Sequence, residues 1–286
     1  MKKGAFITET FNGISEFLNV IGKRELNEVF KPFTPSSEDG SLSFTMTSSY
    51  AESVEIMSTG YKEGLKDLQK CKSVKVNHAS NIRKNIPQTG IVGYAPHVPN
   101  AIAGVPQSMI SSQKIEQRAK VLTIVYDGGA HAEVKAEKFV KAGRNILDLV
   151  QMLELQGYRV RIDIQDAFCT HKEKALCRIT VKNHRQPMNP LKISYLLLHP
   201  SFFRRQGFKW LETVPELTNT AFVGSYGRPL YYQVDTDGAT TDEIREYLKK
   251  HDLLDKNTFF TNFYEAVNHS ADELVELMGI KKKSSK

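Results

Sequence analysis

The chain has 286 residues, of which 40% are hydrophobic and 25% charged, a composition typical of a folded globular protein. Its apolar runs reach about six residues, so we expect no membrane-spanning helix, which needs roughly 20. The formal net charge of +7 favours an acidic partner, either nucleic acid or protein, although the four lysines of residues 281–286 supply more than half of it.

Residues 1–80 are predicted to form an N-terminal helical region. Between Phe6 and Val29, apolar residues recur at helical spacing and predict a docking arm; they are Phe11, Ile14, Phe17, Leu18, Ile21 and Leu26. A second helix is predicted from about Tyr50 to Gln69. The first residues begin like a signal peptide but turn polar before an apolar core forms, so we expect a cytoplasmic protein.

Residues 81–115 are rich in glycine and proline and carry almost no charge between Ile86 and Met109. A structureless loop of this length is uncommon in a compact domain. Two interpretations stay open. The segment is either a structural wrap along the domain surface or a recognition surface on which Tyr94 contacts a partner.

Residues 116–278 are predicted to be an α/β core domain. The apolar run Val121–Tyr126 is typical of a buried strand, and it ends in the turn Asp127-Gly128-Gly129. Apolar residues then recur at helical spacing up to Leu155, after which Tyr158–Ile164 alternates as a second strand. We expect these strands to be adjacent and parallel, joined by a right-handed helical crossover.

The remaining elements of the core follow in chain order. A short turn leads to Lys174–Lys182, which is predicted to be an antiparallel strand at the sheet edge. The later predicted elements are a helical stretch Pro190–Leu211 broken at His199–Pro200, a strand Leu230–Val234, a helix Asp242–Lys250 and a helical segment from about Thr258 to Met278. Residues 279–286 are expected to be a disordered basic tail.

This order of elements resembles a von Willebrand factor A domain, an open Rossmann-type sheet. The family binds a divalent metal at the carboxyl edge of the sheet through Asp-x-Ser-x-Ser, a distant threonine and a later aspartate. The resemblance implies Asp127, Thr220 and Asp237 as ligands of Mg²⁺. Gly129 and His131 stand where the family has its two serines, so the implied affinity for Mg²⁺ is weak.

A second similarity covers more of the chain and connects it with an uncharacterised family found mainly in bacteriophages and mobile elements. The segments that carry it are 53–64, Ala103–Met109, Ala142–Ile146, His199–Arg205 and Gly224–Pro229. This similarity implies a phage origin and no particular activity.

Two further features are candidate contact sites. His131 lies in the loop after Asp127, where it is either a solvated residue or a functional group. Arg204 and Arg205 lie among aromatic residues and could hold a phosphate backbone while an aromatic ring stacks on a base. At helical spacing the same aromatic residues would equally form core.

We therefore expect an α/β protein with a von Willebrand A-like sheet, a helical arm and a Gly/Pro-rich wrap. Its expected function is that of a non-enzymatic protein-binding or assembly factor, phage-encoded, that binds a protein partner or itself. A nucleic-acid-binding accessory protein is the alternative, and a divalent-metal-dependent enzyme comes third. The predicted contact residues are Tyr94, His131, Arg204 and Arg205, and no catalytic residue or membrane contact is predicted.

Overall fold

The computed structural model of the chain describes residues 2–3, 6–66, 81–118, 120–169, 173–218, 229, 240–255 and 257–280. Residues 1–74 and 121–286 belong to one compact unit, and residues 75–120 belong to another. We call them the α/β unit and the β unit.

The described strands are β1 (Lys2–Lys3), β2 (Phe6–Phe11), β3 (Asn81–Gly90), β4 (Ala95–Pro96), β5 (Met109–Arg118), β6 (Lys120–Asp127), β7 (Tyr158–Cys169), β8 (Lys174–Lys182) and β9 (Thr258–Asn262). The described α-helices are α1 (Ile14–Lys23), α2 (Ser36–Asp39), α3 (Leu42–Thr45), α4 (Tyr50–Thr59), α5 (Val98–Ile102), α6 (Ala136–Leu155), α7 (Pro190–Leu198), α8 (Phe208–Thr213), α9 (Thr241–Lys250), α10 (Phe263–Asn268) and α11 (Ala271–Leu277). A 3₁₀ turn covers Glu63–Leu65 and a π-helix covers Phe202–Gly207.

The α/β unit is built on a six-stranded mixed sheet in the order β1-β2-β8-β7-β6-β9. Strands β2 and β8 are parallel, as are β6 and β9, whereas β7 and β8 are antiparallel. The α/β class and the adjacency of β6 and β7 are confirmed. The main core lies between one face of the sheet and the layer formed by α6, α7, the π-helix and α8.

The β6–α6–β7 segment folds as its apolar pattern predicts. Ile124, Val125 and Tyr126 are buried at the centre of the sheet, and α6 buries one stripe of apolar residues. The chain leaves the helix through Gly157, whose φ of 90° lies in the left-handed region that glycine adopts without strain.

The prediction that β8 lies at the sheet edge is wrong, because β2 pairs with it along its open side. The predicted helical arm is correspondingly wrong over residues 6–11. In that stretch Ile7 and Phe11 are buried on one face with a spacing that suits a strand, and the helix begins only at Ile14. Apolar spacing alone did not separate these two short elements.

Two other predicted helices differ from the structure. The segment from Thr258 begins with a strand, β9, before α10 and α11 follow. Helix α4 ends at Thr59 because Gly60 takes a φ of 87°, well short of the predicted end at Gln69. The predicted strand at residues 230–234 lies outside the described residues.

Residues 81–115, predicted to be a Gly/Pro-rich wrap, instead form most of the three-stranded sheet of the β unit. Strands β3 and β5 pair antiparallel from Asn81–Arg118 to Gly90–Met109, and β4 pairs with the start of β5. Gly93 permits this return, because a Cβ there would lie 2.1 Å from the carbonyl oxygen of Ile110. The glycines and prolines thus shape a sheet with a short helix, α5.

Among the described residues, no helix has both the length and the apolar character that a bilayer crossing requires.

Helix α6 packs closely against α7 at Gly143, where a Cβ would lie 2.4 Å from the carbonyl oxygen of Leu197. We expect Gly143→Ala to lower the free energy of unfolding by about 1–3 kcal/mol, because the helices must separate. The matched control is Gly22→Ala in α1, where a Cβ meets no atom within 4 Å and a change of at most about 1 kcal/mol, in the stabilising direction, is expected. Urea unfolding of both variants is the measurement, and equal effects would contradict the packing.

Candidate functional site

The π-helix carries the two arginines that the sequence suggested as contacts. Arg205 is fully buried, and all three guanidinium nitrogens donate hydrogen bonds to one short segment of the chain. The acceptors are the carbonyls of Ser37, Glu38, Gly40 and Thr47 and the hydroxyls of Thr45 and Thr47. Arg205 therefore fixes residues 37–47, including α2 and α3, onto the core.

Arg204 is also buried and donates to the carbonyls of Phe44 and His131, at 2.5 and 2.7 Å. Its guanidinium carbon lies 4.2 Å from the ring centroid of Phe44 and 5.1 Å from that of Phe139. Burial lowers the pKa of Arg204 to about 10. Both arginines point into the protein, so neither is exposed to a phosphate in this conformation.

The aromatic residues around the arginines belong to the core, the alternative that the sequence left open. Phe168 of β7 stacks on Phe203 with ring centroids 5.3 Å apart, and Trp210 is fully buried. The indole N–H of Trp210 donates to Glu9 of β2 at 2.6 Å, which ties α8 to the sheet.

Asp127 ends β6 and is buried, as the motif Asp127-Gly128-Gly129 suggested. Its Oδ1 accepts the backbone N–H of Gly129 at 3.0 Å, and its Oδ2 accepts the side-chain amide of Gln165 at 3.3 Å. Oε1 of Gln165 in turn accepts a hydrogen bond from Nη2 of Arg178 at 2.6 Å. Burial raises the pKa of Asp127 to about 6, while the hydrogen bonds from Gly129 and Gln165 oppose this rise.

The expected metal site is only partly within the described residues, since Thr220 and Asp237 lie outside them. The described part of the chain contains no group of three or more His, Cys, Asp or Glu side chains that could hold a metal ion. Both oxygens of Asp127 already accept protein hydrogen bonds, and a Cβ at Gly129 would lie 3.0 Å from Oδ1. The Mg²⁺ site therefore stays a prediction.

His131 follows this loop but is oriented by another element. Its backbone N–H donates to the hydroxyl of Tyr264 in α10 at 3.1 Å, and its ring packs edge-on against that of Tyr264. Its backbone carbonyl oxygen accepts a hydrogen bond from Nη2 of Arg204. The structure thus joins His131 to Arg204 and α10 through these contacts.

A row of polar side chains crosses the core face of the sheet, a feature that the sequence analysis missed. Its members come from five strands and are Glu9, Cys177, Asp166, Tyr126 and Thr261. Tyr126 Oη, Asp166 Oδ1 and Thr261 Oγ1 are buried without a hydrogen-bond partner among the described residues. The available signal was the alternation of β7, which places an aspartate between Ile164 and Phe168 on a buried face.

Asp166 lies directly under the end of the π-helix. A Cβ at Gly207 would lie 2.7 Å from Asp166 Oδ2, so the glycine permits this contact between helix and sheet. Burial raises the pKa of Asp166 well above its usual value, and the charge of Asp127 raises it further. The arrangement favours the neutral acid.

The β unit carries the other notable feature, which we call the apolar tip and define as residues 91–105. Its exposed large apolar side chains are Ile91, Val92, Tyr94, Val98, Ile102 and Val105. The exposed fractions of Ile91, Val92 and Ile102 are 72%, 81% and 83%. Tyr94, expected as a partner contact, lies within this surface.

The apolar tip is ordered by backbone hydrogen bonds. The backbone N–H of Tyr94 donates to the carbonyl oxygen of Ile110 at 2.9 Å, and the backbone N–H of His97 donates to the carbonyl oxygen of Ser108 at 2.7 Å. The backbone N–H of Val105 donates to the backbone carbonyl oxygen of Asn100 at 2.9 Å and closes the turn after α5. The apolar side chains are therefore held outward by a defined backbone.

The role of Arg205 can be tested by its removal. We expect Arg205→Met to lower the free energy of unfolding by more than about 3 kcal/mol, because several buried carbonyls lose their donor. The control is Lys209→Met, which removes a partly exposed ion pair with Glu38 (3.2 Å) on the same segment and should cost at most about 1 kcal/mol. Chemical denaturation of both variants is the measurement. If Arg205→Met lowers the free energy of unfolding only as much as the control does, Arg205 does not anchor residues 37–47.

The buried carboxyl of Asp166, whose Oδ1 has no hydrogen-bond partner among the described residues, predicts a pH effect on stability. Because the folded state binds its proton more tightly than the unfolded chain, the contribution of Asp166 to the free energy of unfolding falls as the pH rises from about 4 towards the raised pKa. Asp166→Asn removes that fall and should stabilise the protein at neutral pH by about 1–3 kcal/mol.

The control for this prediction is Asp163→Asn on the same strand. Asp163 is equally buried but accepts Nε of Arg161 at 2.8 Å, so this change should destabilise the protein. Thermal unfolding between about pH 5 and pH 8 compares the two variants with the wild type. A loss of stability in Asp166→Asn would contradict the prediction.

Comparison with curated proteins gave no match, and comparison with solved structures gave none either. A family model described as a domain of unknown function (DUF7192) matches residues 4–278. The chain therefore belongs to this family.

Proposed function

We propose that the protein is a non-enzymatic protein-binding or assembly factor and that the apolar tip is its contact surface. The observation that carries the proposal is the exposure of six large apolar side chains between residues 91 and 105. A concentration of exposed apolar side chains in one short segment is costly in water and commonly marks an interaction site. Its backbone is already ordered, which lowers the entropy lost on binding.

The environment of the perturbed carboxyl groups supports binding over catalysis. Asp127 and Asp166, whose pKa values are raised, are buried in the sheet and contact protein groups. Such shifts also arise in structural networks, and here burial supplies the main cause. In this proposal the α/β unit is the folded support, and the β unit makes contact with the partner.

Other parts of the proposal rest on the sequence. A von Willebrand A-like module, a phage origin and a location in the host cytoplasm agree with the resemblances described above. Weak Mg²⁺ binding at Asp127 belongs to the same set. The nucleic-acid alternative loses the exposed guanidinium groups on which it depended, because Arg204 and Arg205 are buried.

The direct test is site-specific photocrosslinking in cells that produce the protein. Benzoylphenylalanine at Tyr94 should form an adduct with a polypeptide, because this ring is exposed on the apolar tip. The control places the same group at Phe33, an exposed aromatic residue of the α/β unit, where no adduct is expected. If no polypeptide adduct forms at Tyr94, the proposal fails.

We expect Ile91→Ser combined with Ile102→Ser to reduce adduct formation from Tyr94 at least tenfold, because both side chains are exposed in the free protein. Their exposure also means that the free energy of unfolding should change by no more than about 0.5 kcal/mol. The matched control is Leu42→Ser with Leu277→Ser, two exposed leucines outside the tip, which should leave the adduct unchanged. An adduct that survives the tip substitutions would place the contact elsewhere.

A further inference from the structure

The charges of the β unit are strongly segregated along its strands. Residues 85–113 contain no Asp, Glu, Lys or Arg, whereas residues 75–120 as a whole hold six basic residues and one acid, Glu116. The basic residues are Lys75, Arg83, Lys84, Lys114, Arg118 and Lys120. This small unit therefore carries +5 of the formal net charge of +7, all of it outside the uncharged stretch.

The strand register fixes where the charge begins. Asn85 pairs with Lys114 and Lys84 pairs with Ile115, so the two lysines occupy neighbouring positions at one level of the hairpin. The strands end at the Gly90–Met109 pair, beyond which the tip begins. Gly90 lies six positions after Lys84, which at about 3.3 Å per residue is roughly 20 Å.

We propose that the apolar tip enters an apolar recess in an acidic protein and that carboxylates at the mouth of the recess face the level of Lys84 and Lys114. This inference rests on the proposed function, namely that the tip binds a protein. The recess is at least about 20 Å deep, because uncharged strand of that length separates the start of the tip from the first basic positions. Uncharged residues of β3 and β5 occupy the section between.

Charge complementarity favours such a partner over a second copy of this chain. Tip-to-tip contact would leave the basic levels of two copies about 40 Å apart, several times the screening length, with no acid near either. Side-by-side contact would bring two units of the same charge together, with only Glu116 to oppose them in each. A second copy would thus cover the apolar tip but would leave the basic residues of the strands without acidic partners.

Nucleic acid and lipid fit less well for different reasons. Phosphates would complement the basic strands, but unpaired bases are held by stacking on aromatic rings, and the tip offers Tyr94 among aliphatic residues. An anionic bilayer would accept the aliphatic residues. However, attraction to headgroups fades within about 8–10 Å, and the first basic level stands roughly 20 Å from the tip.

The test uses the full chain with benzoylphenylalanine at Tyr94 and reverses charge at the base of the hairpin. Lys84→Glu with Lys114→Glu should reduce the adduct about tenfold, and raising NaCl from about 50 to about 500 mM should reduce the wild-type adduct similarly. The control reverses the same charge on α6 through Lys138→Glu and Lys141→Glu, two exposed lysines, and should change the yield less than twofold. Thermal unfolding confirms that each variant is folded.

The outcomes separate this inference from the proposed function. If the yield of the polypeptide adduct from Tyr94 changes with neither charge reversal nor salt, the proposed protein binding stands, but the proposed carboxylates at the mouth of the recess are refuted. If no polypeptide adduct forms at all, both the proposed function and this inference are refuted. An adduct only with a second copy overturns the inference. Tip-dependent sedimentation with phosphatidylglycerol vesicles, or tip-dependent retardation of a DNA duplex, also overturns it.

Discussion

A buried guanidinium destabilises a protein unless its N–H groups find acceptors, and Arg205 finds them in the backbone of residues 37–47. This interaction links the short helices α2 and α3, which are too short to be stable alone, to the π-helix. Glu212 strengthens the link by accepting the backbone N–H of Ser37 at 3.1 Å. Several elements of the α/β unit thus depend on polar contacts made inside the core.

The π-helix places these groups where they are needed. Its six residues direct Arg205 towards the N-terminal segment, Gln206 towards Tyr195 and Gly207 onto Asp166. A widened helical turn changes the angular spacing of side chains, so adjacent residues can serve different neighbours. The sequence signal for this turn is weak, because Phe202–Gly207 contains no proline and its one glycine, Gly207, stands at the end.

The sequence predicted the fold best where one periodicity dominates, as in β6, α6 and β7. It failed where pairing partners are distant in sequence, because nothing local to β2 indicates that residues 6–11 join β8. Asp127 was found from its turn motif, and Tyr94 from the apolar content of its segment. The outward orientation of the tip, the inward orientation of Arg204 and the row containing Asp166 required coordinates, since the same residue types suit either side of a protein surface.

Two local rules of protein structure are broken in this molecule, and they have different consequences. Asp166 and its neighbours place unpaired polar groups in the interior, where each lowers the stability of the folded state. The apolar tip places aliphatic side chains in water, where their cost is removed when another surface covers them. The interior cost persists in every state of the folded chain, whereas the cost at the tip depends on occupancy. Of these two departures from ordinary structure, the one at the tip is the one whose cost association with another surface would remove.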